Sequence, residues 1–447
     1  MTDTTTPAGR AAQLHDRYPS LDELTATAHQ LAAHRPDLCQ VRTVGTSRAG
    51  RPLTLLTVGP SPHDAGDAPH NLLVVAGAHA DEFAARAAVA DLAHHALTRQ
   101  HPYLAWHFLL CLDPDGAHLA DGSRHARTLP DYFAHYYRPA AEEQPEWAPA
   151  VGADLPESRT LLDLIDELRP TLQFSLHSTD VGGTFVQATS DPAALARPFA
   201  RSAAHHGIPV ETGNFDTFRL HESGPGVYLM TPHHIDHQET TTGVLTPHHD
   251  TGEARAGTWF APQRHGGQTV LVEVPAFTSA HLGDTRPADA VRLYLRTCAD
   301  RLRHRGTLLT ALLDAALPYV RNPDTPLLRA ARTPLTALHQ LADAWDPELR
   351  GAELLRTPIT RARLTGIDLW AHRVPVRAAA LLRRAVRVAG APAAPQAARL
   401  DHLLRDWCAQ YQRTFQPVWL PVARQAAHQA ATVRAAVALR HPGSWAS

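Results

Sequence analysis

The chain has 447 residues, with 44 acidic side chains against 42 basic ones, all of them arginine, and a net charge of -2. It is long enough for one large core plus an extension, and its charge gives no general attraction for nucleic acid or an anionic membrane, so neither is expected as a partner. The absence of lysine excludes Schiff-base and phosphate-loop lysine chemistry.

Hydrophobic residues make up 44% and charged residues 19%, ordinary values for a soluble globular protein. The four cysteines, Cys39, Cys111, Cys298 and Cys408, are far apart and read as buried thiols in a reducing compartment. The start lacks a basic region followed by an apolar run, and no apolar stretch is long enough to span a bilayer. A cytoplasmic protein is expected.

In chain order, Ser20 caps a first helix, with Glu23 at the capping-box position. Strand-like runs follow at 53–58, 72–76, 106–112, 171–176, 184–188 and 269–274, with helical patterns at 82–98, 158–168 and 193–206 between them. Strands alternating with helices predict an α/β domain with a mostly parallel central sheet, whose ligands bind at the carboxyl ends of the strands. Residues 215–264 are rich in Gly, Pro, Thr and His and predict long loops over the site. Beyond Asp284 the pattern becomes helical, at 290–317, 334–345, 374–388, 397–414 and 421–439. This divides the chain into a catalytic domain over 1–325 and a helical C-terminal extension over 326–447. The extension carries no recognisable chemistry; its arginines read as solvated helix faces, and its expected role is to form a homodimer or cover the cleft.

Four residues at the ends of apolar runs carry the chemistry. His79 and Glu82 follow Asn71-Leu-Leu-Val-Val-Ala-Gly77, His177 ends Leu172-Gln-Phe-Ser-Leu-His177, and Glu273 ends Thr269-Val-Leu-Val-Glu273. Two imidazoles and one carboxylate make a three-ligand zinc site with one position open for water, and a further carboxylate can serve as the base. At the start of a helix, positions i and i+3 share a face, so His79 and Glu82 can grip one ion. Glu82 can equally be a first-turn carboxylate favoured by the helix dipole, and His79 a satisfied loop histidine. Glu273 has a bland alternative as a strand-end glutamate paired with an arginine. A rival cluster, His233, His234, His237, His248 and His249, repeats a Thr-Pro-His-His unit, but in a Pro-rich region that reads as a solvated loop.

Several segments resemble the zinc carboxypeptidases of the carboxypeptidase A type. These are Val44-Gly-Thr-Ser-Arg-Ala-Gly-Arg-Pro-Leu-Thr-Leu-Leu56, Gly77-Ala-His-Ala-Asp-Glu82 for the Gly-x-His-x-x-Glu metal motif, Asp113-Pro-Asp-Gly116 for an Asn-Pro-Asp-Gly turn, Leu176-His-Ser178 and Val272-Glu-Val-Pro275. They stand in the family's order across roughly residues 20 to 310. The resemblance implies a mixed, mostly parallel sheet flanked by helices, one zinc ion held by His79, Glu82 and His177, and Glu273 as general base and then acid.

The pattern departs from the family in one respect. No Asn-Arg pair, the family's clamp for a terminal carboxylate, lies between the Pro-Asp-Gly turn and His177. Arg127 and Arg138 are the candidates for the arginine that polarises the scissile carbonyl, and Arg138 alternatively for the anchor. Tyr228 and His265 compete for the place of the family's mobile tyrosine, and the glycines of Ser178-Thr-Asp-Val-Gly-Gly183 would allow close approach to substrate. The expected activity is hydrolysis of an amide near the carboxyl terminus of a peptide or peptide-like small molecule. The alternatives are a zinc amidase or deacylase on a modified amino acid, and a catalytically inactive peptide-binding relative.

Overall fold

The computed structural model describes residues 17–60, 70–218, 220–231, 257–280, 282–352, 354–356 and 358–442. The strands are β1 (Cys39–Thr46), β2 (Pro52–Val58), β3 (His70–Val75), β4 (Leu104–Leu109), β5 (Leu172–Gly182), β6 (Phe185–Ala188), β7 (His221–Gly224), β8 (Val227–Leu229), β9 (Gln268–Thr278) and β10 (Val418–Trp419). The helices are α1 (Leu21–His34), α2 (Ala84–Thr98), α3 (Pro114–Ala120), α4 (Leu129–Ala134), α5 (Pro156–Leu168), α6 (Ala196–His205), α7 (Val291–Ala316), α8 (Pro326–Trp345), α9 (Arg361–Arg387), α10 (Ala394–Phe415) and α11 (Val422–Arg440). Among the described residues, no helix is long and apolar enough to cross a membrane.

One mixed sheet runs in the order β1-β2-β4-β3-β5-β9-β6-β8-β7, with β10 added beside β9. Its centre, β4-β3-β5-β9, is parallel, and β1, β2, β6, β7 and β10 bring in antiparallel pairings. The parallel strands are buried on both faces and read as continuous apolar runs, as the sandwiching helices require. The α/β expectation therefore holds, with β1, β7, β8 and β10 added to the strands read from the sequence.

Four elements differ instructively. β5 and β9 continue well past His177 and Glu273, so these residues lie inside their strands, directly opposite each other in register. They still clear the neighbouring strand, because β3 stops at Val75, level with Ser175. In the C-terminal region, α8 and α9 start at Pro326 and Arg361, well before the expected 334 and 374, and run through Pro334 and Pro375. Each proline forfeits one helical hydrogen bond, and burial offsets that loss, of one broad face in α8 and of most of the circumference in α9.

The helices after residue 326 share the main hydrophobic core with the sheet. α11 packs on α2, α6 and β9, and the buried Gln429 amide donates to the carbonyls of His177 (2.7 Å) and Val272 (3.1 Å). The tail thus supports the strand pair that carries the site. Truncation after residue 325 is expected to give a chain that does not fold, because it strips β10 from β9 and uncovers apolar surface of α2 and β9. Circular dichroism and sizing of the fragment check this; a soluble, monomeric, cooperatively folded fragment would refute it.

Candidate metal centre

The chain leaves β3 through Gly77, whose φ of +60° an L side chain would strain and whose missing Cβ would meet Cys111 Sγ at 2.7 Å. The turn that follows carries both His79 and Glu82 before α2 begins at Ala84, so the pair meets across a turn and not on a helix face. His79 Nδ1 lies 2.8 Å from Glu82 Oε1, and His177 Nδ1 lies 2.9 Å from Glu82 Oε2. The Ser178 backbone N–H donates to Glu82 Oε2 at 3.0 Å and fixes that carboxylate against β5. Donor atoms of His79, Glu82 and His177 all fall within 4.8 Å of one another, the one such group of three among the described residues.

That set fits zinc. Ligands at about 2.0–2.2 Å from one ion must lie within roughly 4 Å of each other, which small side-chain adjustments achieve here. The outer contacts also fit. His177 Nε2 lies 3.0 Å from Glu146 Oε2, and Glu146 accepts from Ser175 Oγ (2.6 Å) and Trp259 Nε1 (2.9 Å). A carboxylate on Nε2 leaves the Nδ1 lone pair for an ion, as in carboxylate–histidine–zinc arrangements. The five histidines of the rival cluster, and most of the expected loops over the site, lie outside the described residues.

The charges are buried and interdependent. Burial opposes ionisation of Glu82, yet His79, Arg138 and His177 hold its carboxyl well below the usual range. Burial likewise opposes the His177 imidazolium, but Glu82 and Glu146 hold it well above its ordinary value. His79 is shifted the other way, since burial outweighs its contact with Glu82. Burial pushes the Glu273 carboxyl up to about 8; the Glu82 charge adds to this and His177 opposes it.

These groups line a cavity of about 290 Å³. Arg138 reaches it, pairing with both oxygens of Asp81 (2.8 and 3.2 Å) and with Glu82 (2.5 Å). Arg127 does not. It is exposed just before the cap of α4, with its guanidinium over the Trp419 ring. Tyr228 is packed with Phe185 and Leu220, its hydroxyl near Glu211 O (3.4 Å), and stays out of the cavity. His265 sits in the turn before β9, at the strand end remote from Glu273, and pairs with Asp166 on α5 at 2.7 Å. The glycines after His177 serve the protein itself: a Cβ on Gly183 would meet Pro209 O at 2.5 Å, and one on Gly182 would meet Glu211 Oε2 at 2.8 Å.

Sequence reasoning missed Glu146, Asp216, Arg373 and Arg377, which all line the cavity. Both arginines lie on α9, one turn apart, and share the buried Asp180 carboxylate, Arg373 Nε at 2.7 Å and Arg377 Nε at 3.1 Å. Arg377 also lies over the Tyr136 ring. Asp216 faces the same arginines; burial raises its pKa and they oppose the rise. The available signal was the apolar residues around most of α9, which leave a mid-helix arginine no route to solvent. Glu146 stands in an irregular Pro-Glu-Trp segment and gave no signal.

The family model described as zinc carboxypeptidase matches residues 24–184, just over a third of the chain, and includes His79, Glu82 and His177 but not Glu273. Similar solved structures include a metallo-carboxypeptidase from Burkholderia cenocepacia (16% identity, TM-score 0.35, covering 56% of this chain and 59% of that one). Carboxypeptidase A from Helicoverpa armigera is another (18% identity, TM-score 0.39, covering 59% and 66%). At these scores the superposition carries no argument, and the chain spans less than two thirds of the length of either. No curated protein matches the chain. Replacing Glu146 by Gln is expected to weaken zinc affinity about 10- to 100-fold by loosening His177. Competition with a chromophoric chelator measures this, and unchanged affinity would remove Glu146 from the centre.

Proposed function

We propose that this chain, zinc carboxypeptidase-like over residues 24–184, is a zinc-dependent hydrolase of an amide bond close to a carboxylate in a small peptide-like substrate. The observation that carries the reading is the meeting, in one cavity, of the His79–Glu82–His177 donors with an acid on the neighbouring strand, Glu273. A catalytically inactive descendant would have no chemical reason to keep that acid there.

Zinc bound by the three donors supplies the Lewis acidity that activates water and polarises a carbonyl. Glu273 takes the proton of the attacking water and delivers it to the leaving amine. Burial, with the Glu82 charge adding to it, raises its pKa to about 8; a dication at the ligands favours the ionised, basic form. Arg138, held by Asp81 and Glu82, presents fixed positive charge where a carbonyl oxygen gains negative charge. Glu146 holds His177 in position through Nε2.

Arg377 is the candidate anchor for the substrate carboxylate. Its Nε is spent on Asp180, and a planar guanidinium suits bidentate pairing. Because α8 and α9 supply part of the cavity wall and its volume is about 290 Å³, the cavity suits a small substrate. A deacylase acting on N-acyl amino acids is a second reading, supported by the apolar wall of Trp147, Met230, Trp259 and Leu271. A panel of dipeptides and N-acyl amino acids separates the two.

Two variants test the assignment. Glu273→Gln is expected to lower kcat about 10²- to 10⁴-fold with zinc content unchanged; full turnover would reject the base. Arg377→Met is expected to raise KM about tenfold or more for a substrate with a free carboxylate, but not for its amidated analogue. Equal effects on both would reject the anchor while leaving the metal chemistry standing.

A further inference from the structure

A second cavity, of about 240 Å³, lies behind the metal turn and shares no lining residue with the first. It is bounded by the start of α1, the start of β2, the first turn of α2 and the exposed side of α3. Arg86, in the first turn of α2, lines it and is only 2% exposed. Its guanidinium is poorly matched. Nε has no hydrogen-bond partner, one terminal nitrogen reaches Pro19 O at 3.4 Å, the Asp121 carboxylate stands 3.7 Å off, and the Phe83 ring lies 5.1 Å from the guanidinium but supplies no full charge.

Asp121 is moreover already engaged by Arg124 at 3.1 Å, and Arg124 in turn approaches Glu23 at 3.9 Å, which Arg17 holds. Three arginines thus share two carboxylates along a line that ends, at its buried end, on Arg86. The other charges around the cavity do not correct this. Arg51 is paired with Asp115 at 3.2 Å, and Asp22 sits exposed at the rim, where solvent screens it. A buried guanidinium without a matching anion is strongly disfavoured, and water supplies dipoles but no charge. Burial accordingly pulls the Arg86 pKa down.

We propose that this cavity binds a small oxyanion, a phosphate or a short carboxylate, paired with the buried guanidinium of Arg86 that lines it. A planar guanidinium carries a full charge and several N–H donors that suit the oxygens of one anion. Arg86 lies in the first turn of α2, four residues beyond Glu82, so an occupied site braces the start of α2 from behind the metal turn.

The test uses the zinc-loaded protein at constant ionic strength, titrated separately with inorganic phosphate and acetate and followed by calorimetry and thermal midpoint. A saturable response to at least one anion is expected, and which one responds identifies the ligand as phosphate-like or carboxylate-like. Arg86→Met should weaken it about tenfold or more. His118→Glu, an exposed change at the cavity lining, should weaken it about threefold or more by repulsion and keeps the test open if the first variant fails to fold. The response should survive zinc removal by a chelator. No saturable response to either anion, a response unchanged in either folded variant, or one that vanishes with zinc would overturn the proposal.

Discussion

A single carboxylate organises this molecule. Glu82 is only 3% exposed, yet it meets two imidazoles, one guanidinium and a backbone N–H. Taking such a group from water costs several kcal/mol unless partners compensate, and here the partners come from three separate stretches of chain. The turn after β3 must place His79, β5 must place His177 and Ser178, and the segment after α4 must bring Arg138. The geometry of the centre and the register of the sheet are therefore one constraint: a shift of β5 by one residue would turn His177 to the opposite face.

The same economy of buried charge recurs on the other side of the cavity. Asp180, wholly buried on β5, has its compensation in Arg373 and Arg377 from α9, almost two hundred residues later. Removing one partner of such a set leaves an unmatched charge and typically costs about 3–5 kcal/mol. The C-terminal helices are thus tied to β5, the strand that carries His177, by ion pairs as well as by the shared core and the Gln429 bonds. A cavity wall made by these helices gives the site a shape and charge that the matched segment, residues 24–184, does not contain.

The residues that the sequence points to and the fold brings together are those whose chemistry and local pattern coincide. His79, Glu82, His177 and Glu273 each stand on an apolar run, so a reader can place them at a sheet even without knowing its order. Arg138 could be named but not distinguished from Arg127, because both follow the same turn and only packing decides which one meets Asp81 and which lies over Trp419. Tyr228 and His265 were misplaced for a similar reason. Each is the right residue type in the right interval, but β8 buries one, and the other is left at the far end of β9.

What the sequence determined alone is the set of central strands and the donors that could hold a metal, since periodicity and residue type are local properties. What only the tertiary structure decided is which distant charges are paired: Glu146 with His177, Asp180 with Arg373 and Arg377, and Arg86 with a shared Asp121 carboxylate only at 3.7 Å. Those pairings follow from burial. The strength of a charge interaction depends on how much water remains around it, and that quantity exists only once the chain has closed over it.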